Sequence, residues 1–580
     1  MRAFPVGLAI AAASGGAWAL CFGREPSAWL GWVALAPFVA VLGEPRLTAR
    51  RAAVLGWVQG FVAWVPMVWW IAPTIGTFGR IPAALAWSLM GLVCFVLALF
   101  HAVFAAVGRR LARRGDGLAL AALPALWVVL EWLRGNALGT LSFPWNLAAY
   151  AWVEVPGALP LAAWVGAWGV SYAVVAVNVA LGLAWRRRRP ALAAGTVLTV
   201  LLALAFAARF SRPAGAEPSV GGGRQVRIVQ PNATLQPEDG AVVRRQYHDL
   251  IRQSEAECRG EPALLIWPES AAWPAAWGSW DLRRDVARLA SRGCTVVLNS
   301  PTLDAENPAD DVYYNSALLI PAGPAAAETV EAAGRYDKRH LVPWGEHVPL
   351  ADLLPFVDTL ARFAGRFTAG TSPALLEWDG ERLGMAICYE VIFPAASAAQ
   401  ARAGATVLVN VSNDAWYGDT SAPRQLLSAA RFRAAENRRV MLRAALTGIS
   451  AVIGRRGEVR ERLDLGARGV LRRRVRGTAE VTPYARAPWI VPLASGILAL
   501  AALIAARRID DHDRDRHQRE IRPAQQQDRE PSGVSLSART WSWSSPSWTV
   551  RCRRPASGTA PGKAPRCCAN AGAWSAASKP

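Results

Sequence analysis

The sequence predicts a bundle of about eight membrane-spanning α-helices carrying one α/β domain between its seventh and eighth helices. Three observations predict it. The 580 residues are 53% apolar with 27 tryptophans and only 18% charged, too apolar a balance for a soluble enzyme of this length. The first 209 residues are almost continuous uncharged runs, most of them near the ~20 residues a helix needs to cross a bilayer. From residue 224 to 476 the pattern changes to short β-branched runs alternating with helical stretches, as layered α/β packing requires.

The apolar runs are Phe4–Gly23, Pro26–Gly43, Ala52–Gly79, Ile81–Gly108, Gly117–Leu130, Val155–Trp185 and Ala191–Ala208. The fifth is short and borrows Trp132 and Leu133 from beyond Glu131. The first follows Arg2 as a signal peptide would, but many spans come after it and no clear cleavage site is visible. Asn178, polar within the sixth, is expected to bond helix to helix. Arginines mark alternate loops: Arg46, Arg50 and Arg51 after the second run, Arg109, Arg110, Arg113 and Arg114 after the fourth, and Arg186 to Arg189 after the sixth. The positive-inside rule makes those loops and the N-terminus cytoplasmic. Seven crossings then place the α/β domain outside the cytoplasm. Ala487–Ala506, ending in Arg507-Arg508, returns the chain.

The expected division is 1–209 as seven membrane helices, 224–476 as the catalytic domain, 487–508 as the eighth helix and 509–580 as a disordered cytoplasmic tail. The net charge of +21 sits in arginines beside apolar runs, not on a basic face interleaved with aromatics, which excludes nucleic acid as a partner. The eight cysteines have no CxxC pair and no metal-ligand spacing, so no metal, cofactor or disulfide scaffold is expected. Cys258 and Cys294 can pair if their domain lies in an oxidising compartment.

Within the α/β domain, strands are expected at Val226–Val229, Ala263–Trp267, Thr295–Asn299, Ser316–Ile320, Leu383–Ile387, Thr406–Val411 and Ile449–Ile453, with helices at Leu282–Ser291 and Arg424–Arg439. Two of these strands and one further segment, Gly334 to Glu346, carry chemistry. Cys388 follows Leu383–Ile387; alone it would read as a buried core cysteine. Glu269 follows Trp267-Pro268 at the end of another strand. Lys338 follows Tyr336-Asp337, and Glu346 stands eight residues on, past a Pro-Trp-Gly turn. A thiol needs a base to become a nucleophile, and an acyl-transfer oxyanion needs a cation or N–H donors. Glu269, Lys338 and Cys388 supply these parts.

Around them, Glu346 is expected to orient Lys338 or the pocket. Glu390 either supports the pocket or serves as a plain hydrogen-bonding partner. Asn413 and Trp416 either line the pocket or belong to an Asx-capped turn. His340 and His347, without metal-ligand spacing, are expected to be structural. Leu353, Phe356, Val357, Leu360, Phe363 and Phe367 recur at helical spacing. They predict an amphipathic helix that is either a membrane-facing lid over the site or a core helix of the domain.

The strings Trp-Pro-Glu, Tyr-Asp-Lys and Ile-Cys-Tyr-Glu at these separations resemble the Glu-Lys-Cys triad of the nitrilase superfamily. That resemblance implies a four-layer αββα sandwich. Further strings are Glu131-Trp132-Leu133-Arg134, Phe143-Pro144-Trp145, Val229-Gln230-Pro231-Asn232, Leu341 to Glu346, and Ser412 to Gly418. With them, over about residues 1–508, the chain resembles the apolipoprotein N-acyltransferase family. Leu426 and Leu446 stand where that family usually has His and Asn, and its Lys-Trp pair after the Val-Gln-x-Asn string is missing. The resemblance implies ping-pong acyl transfer from a membrane phospholipid, through a Cys388 thioester, to the α-amine of diacylglyceryl-cysteine lipoproteins. It also implies that Tyr389 donates its N–H to the oxyanion beside Lys338. A membrane-tethered amidase using water as acceptor, or a transporter or receptor with a binding domain, are the alternatives.

Overall fold

Seven helices among the described residues are long and apolar enough to cross a membrane: Phe4–Phe22, Ala49–Val68, Ala83–Arg114, Asp116–Asn136, Ala158–Arg186, Pro190–Phe210 and Ile490–Ile509. They belong to a computed structural model that describes residues 3–188, 190–210, 223–235, 239–303, 312–324, 329–349 and 367–527. Residues 1–514 form one compact unit and 515–580 another.

The second expected span is not a continuous helix. It is a single 3₁₀ turn at Leu30–Trp32 followed by a seven-residue helix, Ala36–Leu42, with Pro37 in its first turn. Broken backbone at membrane depth must find its hydrogen bonds inside the protein. Asn178, fully buried on the helix Ala158–Arg187, provides them: its Oδ1 accepts from Leu35 N at 2.8 Å and its Nδ2 donates to Gly31 O at 2.8 Å. The last helix also differs from expectation, because it runs as Ile490–Gln527 and not only to residue 508. Arg, Gln and Glu are good helix formers and prolong a helix without packing. The remainder of the expected tail, 528–580, and the expected amphipathic helix Leu353–Phe367 lie outside the described residues, except for Phe367, which forms an isolated bridge with Tyr313.

Twelve strands are described in the α/β domain. In chain order they are β1 Arg224–Gln230, β2 Ala263–Ile266, β3 Cys294–Leu303, β4 Tyr313–Ile320, β5 Gly334–Asp337, β6 Leu375–Trp378, β7 Glu381–Ile387, β8 Val407–Ser412, β9 Met441–Ala445, β10 Ser450–Ile453, β11 Val459–Leu463 and β12 Gly469–Val475. They form two six-stranded sheets, ordered β12-β1-β2-β3-β4-β5 and β11-β10-β9-β8-β7-β6. Each sheet has three parallel strands at its centre and antiparallel strands outside them. Side chains alternate across a strand, so each sheet buries two faces. From the first sheet, Val226, Ile228, Leu264 and Ile266 join the core that holds Leu383, Met385 and Ile387 of the second. The alternate residues Val229, Leu265, Val296 and Leu298 pack instead with Leu250, Leu282 and Val286, on helices Gly240–Glu257 and Trp280–Ser291. With Pro394–Arg402 and Ala422–Asn437 outside the second sheet, the layers read helix, sheet, sheet, helix. A disulfide, Cys258–Cys294, ties the end of the first outer helix to the start of β3.

The helix Ala422–Asn437 is also the seam to the membrane helices. Gly166 breaks the helix Ala158–Arg187 with φ 65°, and a Cβ there would overlap the Tyr484 ring. The Ala167 N–H freed at this kink donates to Glu436 Oε1 at 2.8 Å, and Glu436 pairs with the equally buried Arg433 at 2.6 and 2.9 Å. Farther along the same helix, Gln425 accepts from Trp145 Nε1 at 2.7 Å. Its Nε2 donates to the carbonyls of Phe22 and Met67 at 2.9 and 3.0 Å. These paired buried groups fix the domain on the bundle by geometry as well as by apolar contact.

Candidate active site

The site lies at the carboxyl ends of the central strands β2 and β7, where backbone leaves a sheet and side chains can converge. Cys388 is the first residue past β7, buried at 3% exposure, with φ +54°. A left-handed conformation at a residue other than glycine is strained and needs support from its surroundings. Asn410 of β8 supplies some of it, its Nδ2 donating to Ala386 O at 3.0 Å and Cys388 O at 3.3 Å. Arg443 of β9 in turn donates to Asn410 Oδ1 and pairs with Asp414 at 2.7 and 3.0 Å, all three fully buried.

Glu269 and Lys338 come from the first sheet. Glu269, 5% exposed, accepts from Asn413 N at 3.0 Å, from Asn315 Nδ2 at 3.0 Å and from Lys338 Nζ at 3.4 Å. Lys338, 1% exposed, donates also to Glu346 Oε1 at 2.8 Å, and Glu346 accepts from Val342 N at 2.9 Å. Burial opposes the Lys338 charge, but Glu269 and Glu346 beside it outweigh that and hold its amine well above the ordinary lysine range. Burial, with Glu269 adding to it and Lys338 opposing, pushes the Cys388 thiol up to about 12. The resting group is therefore a thiol beside a carboxylate and an ammonium. Such a thiol needs a proton acceptor at the moment of attack, and the arrangement can do acyl transfer by base-assisted thiol addition.

The expected supporting residues divide. Glu346 touches Lys338 directly. Asn413 does two things: its N–H holds Glu269, and its Oδ1 caps the following turn through Ala415 N at 3.3 Å. Glu390 is turned away from the carboxylate cluster and fully buried. It accepts from Tyr336 Oη, Arg339 N, His340 N and Ile387 N at 2.7–3.1 Å, joining the lysine loop to the nucleophile turn. Burial lifts that carboxyl, and the His340 and Ile387 donors overcome it and hold it below the usual range. The Tyr389 ring also points away, its hydroxyl donating to Ser142 O of the membrane domain at 3.0 Å. Trp416 faces the membrane helices: its ring meets Phe78 edge-on at 4.4 Å and its carbonyl accepts from Thr74 at 2.9 Å.

Two strings from the membrane part explain where Tyr389 docks. Glu131 accepts from Ala148 N at 2.7 Å, while Arg134 donates to Phe143 O and Trp145 O at 2.6 and 2.8 Å. They shape the loop whose Trp145 stacks on Tyr389 at 6.3 Å and lies 6.3 Å from Tyr417. Tyr417 also meets Trp70 at 4.9 Å, so aromatic rings from the bundle reach the surroundings of the thiol. Burial and the neighbouring Cys388 push the Tyr417 phenol well above 10. The sequence reading missed Asn315, Asn410 and Arg443. The signal available was a polar residue inside an otherwise apolar strand, as in Val407-Leu408-Val409-Asn410-Val411.

The chain is similar to known proteins over most of its length. The apolipoprotein N-acyltransferase N-terminal domain matches residues 14–180, and the carbon-nitrogen hydrolase domain matches 245–484. An apolipoprotein N-acyltransferase of Geobacter metallireducens is 36% identical over 495 residues, 80% of this chain and 89% of that protein. Those of Bordetella bronchiseptica and Caulobacter vibrioides are 34% and 33% identical, covering 86% and 78% of this chain and 97% and 85% of theirs. The chain, a membrane protein with a nitrilase-like α/β domain, belongs to the apolipoprotein N-acyltransferase family.

Proposed function

We propose that this chain moves an acyl group from a membrane phospholipid to the α-amine of the N-terminal diacylglyceryl-cysteine of lipoproteins, with Cys388 as nucleophile. The observation that carries the reading is a buried Glu269–Lys338–Cys388 cluster whose nucleophile turn rests on the membrane helices through Tyr389 and Ser142. Glu269 takes the thiol proton as Cys388 Sγ adds to the ester carbonyl. Lys338 Nζ and the Tyr389 N–H stabilise the oxyanion, where a single donor is typically worth ~3–4 kcal/mol. The C–O bond breaks, Glu269 returns its proton to the departing lysophospholipid oxygen, and a thioester remains on Cys388. The lipoprotein amine then adds to the thioester, and its proton passes by way of Glu269 to the leaving sulfur. Glu346 keeps Lys338 in place through both halves. With water as acceptor the same groups would make an amidase; docking of the nucleophile turn on apolar helices favours a lipid donor.

The expected result of incubating the purified full chain with phospholipid alone is an acyl adduct located on Cys388 by peptide mass spectrometry. An unmodified Cys388 after prolonged incubation would overturn the thioester. The same reading has the α/β domain on the extracytoplasmic side and both termini in the cytoplasm, counting the broken segment Leu30–Leu42 as a crossing beside the six long helices before the domain. The arginine loops support this orientation, and so does the Cys258–Cys294 disulfide, since such bonds persist in oxidising compartments. Reporter fusions at Gly115 and Arg188 are expected to read as cytoplasmic, and one between Ala214 and Gly222 as extracytoplasmic. A cytoplasmic signal from the last would separate the site from its proposed lipoprotein acceptors.

A further inference from the structure

Two carboxylates and one amine meet at the site, and the fourth member of the cluster is an amide. Asn315 Nδ2 donates to Glu269 Oε1 at 3.0 Å and to Glu346 Oε1 at 2.7 Å, the same two oxygens that Lys338 Nζ reaches at 3.4 and 2.8 Å. Reversed, the amide would aim its oxygen at both carboxylates, repelling each and leaving each one donor short. Nothing in Asn315 itself prevents that, because its two ends are nearly the same size. The side chain behind it does. Asn299 Nδ2 donates to Asn315 Oδ1 at 2.6 Å and to Ser316 O at 3.0 Å, while Asn299 Oδ1 accepts from Ser270 N at 3.1 Å. A backbone carbonyl and a backbone N–H thus orient Asn299, and Asn299 orients Asn315. Ser270, next to Glu269 in the chain, is itself left-handed with φ +59°, so the same side chain also steadies the turn that carries the carboxylate.

We infer that Asn299 is a positioning residue for the base Glu269, acting through Asn315 by fixing which end of that amide faces the two glutamates. The inference rests on the proposed role of Glu269 and adds to it a device that keeps the carboxylate ready to accept a proton. A hydrogen-bond donor to a carboxylate favours its charged form and an acceptor disfavours it. The titratable groups next to Glu269 are Lys338, Cys388 from the nucleophile turn and Tyr417 from the turn after β8, with Glu346 sharing Lys338 and Asp414 acting on Cys388 and Tyr417. Lys338 is the one cation among them, shared between two glutamates, which is why the orientation of a neutral amide matters here.

The test is a double-mutant cycle on the full chain in detergent, read as the pH dependence of two reactions. One is acyl transfer from phosphatidylethanolamine to a diacylglyceryl-cysteine peptide. The other is alkylation of Cys388 by iodoacetamide, which needs the base but no lipid. Asn299→Asp keeps the acceptor for Ser270 N–H and loses the donor to Asn315. It is expected to move the acid limb of both profiles up by about one pH unit, with the KM for lipid within about twofold of wild type. In an Asn315→Leu background the same substitution is expected to move the limb by less than half as much, because no amide remains to be oriented. An unchanged limb in the single variant, or equal shifts in the two backgrounds, would overturn the inference; equal shifts would mean the new charge acts through space. If Asn299→Asp does not fold, Asn299→Ser is put through the same cycle with the same criteria. Absence of acyl transfer in the wild type, with an alkylation limb that still depends on Glu269, would count against the proposed function and leave the positioning role standing.

Discussion

Cys388→Ala is expected to abolish acyl transfer while leaving the chain folded and membrane-inserted. The substitution removes one sulfur from a buried position, and with it side-chain contacts to Ser412 and Tyr417, while the Asn410 bond to the Cys388 carbonyl that holds the turn stays. Glu269→Gln is expected to be nearly as severe, because it removes the proton acceptor while keeping the hydrogen bond from Asn413 N. Lys338→Ala combines the loss of an oxyanion donor, on the order of 10²–10³ in rate, with buried Glu269 and half-buried Glu346 left without their cation. Groups that act as a unit fail together, so the double variants are expected to be no slower than the worst single one. The check is product formation in a phospholipid-plus-lipopeptide assay alongside a thermal melt of each variant. Wild-type turnover by Cys388→Ala would rule out the thioester, and a collapsed melt for that variant would show that the cysteine is a core residue after all.

The second large effect lies away from the chemistry, at the seam between the two parts of the chain. Glu436→Ala leaves Arg433 fully buried without its partner, and Ala167 N–H, exposed by the Gly166 kink, without its acceptor. An orphaned buried charge costs about 3–5 kcal/mol and an orphaned N–H about 1–3 kcal/mol, which together consume much of the stability of an ordinary domain. Glu436→Ala is therefore expected to unfold far earlier than the wild type in a thermal melt. Replacing the pair together, Arg433→Met with Glu436→Leu, is expected to recover most of the loss, because two buried charges then disappear at once, leaving the Ala167 N–H without its acceptor and Tyr150 Oη and Ile392 O without their Arg433 donor. A single variant within about 1 kcal/mol of wild type, or a double variant worse than the single, would contradict the role assigned to this pair.

Why the seam could not be read from the chain is plain from its residues. Glu436 and Ala167 stand 269 positions apart, and Tyr389 and Ser142 are separated by 247. No local pattern links them. The missed strands have a different cause. β11, Val459-Arg-Glu-Arg-Leu, and β12, Gly469-Val-Leu-Arg-Arg-Arg-Val, lie at the outer edges of their sheets and carry arginines, so they lack the apolar run by which a buried strand is recognised. β9 is buried, yet its Met441-Leu-Arg-Ala-Ala has no β-branched residue, and its arginine is there for Asn410 and Asp414.

What the sequence determined by itself is what depends on composition along a short stretch. Apolar length specified most of the membrane helices, β-branched runs specified seven of the twelve strands, and Glu269 and Cys388 stood out because each follows a strand that ends abruptly, with Lys338 as the cation of a Tyr-Asp-Lys string between them. Tertiary structure alone decided the rest. It broke the second span, since only Asn178 from a distant helix could satisfy Leu35 and Gly31. It turned Glu390, Tyr389 and Trp416 away from the carboxylates, because each found a partner elsewhere: the lysine-loop backbone, Ser142 and Phe78. It also set Asn299 behind Asn315 behind Glu269. A buried polar group must be paired, and which partner pairs it is settled by where two strands come to lie, not by the residues beside it in the chain.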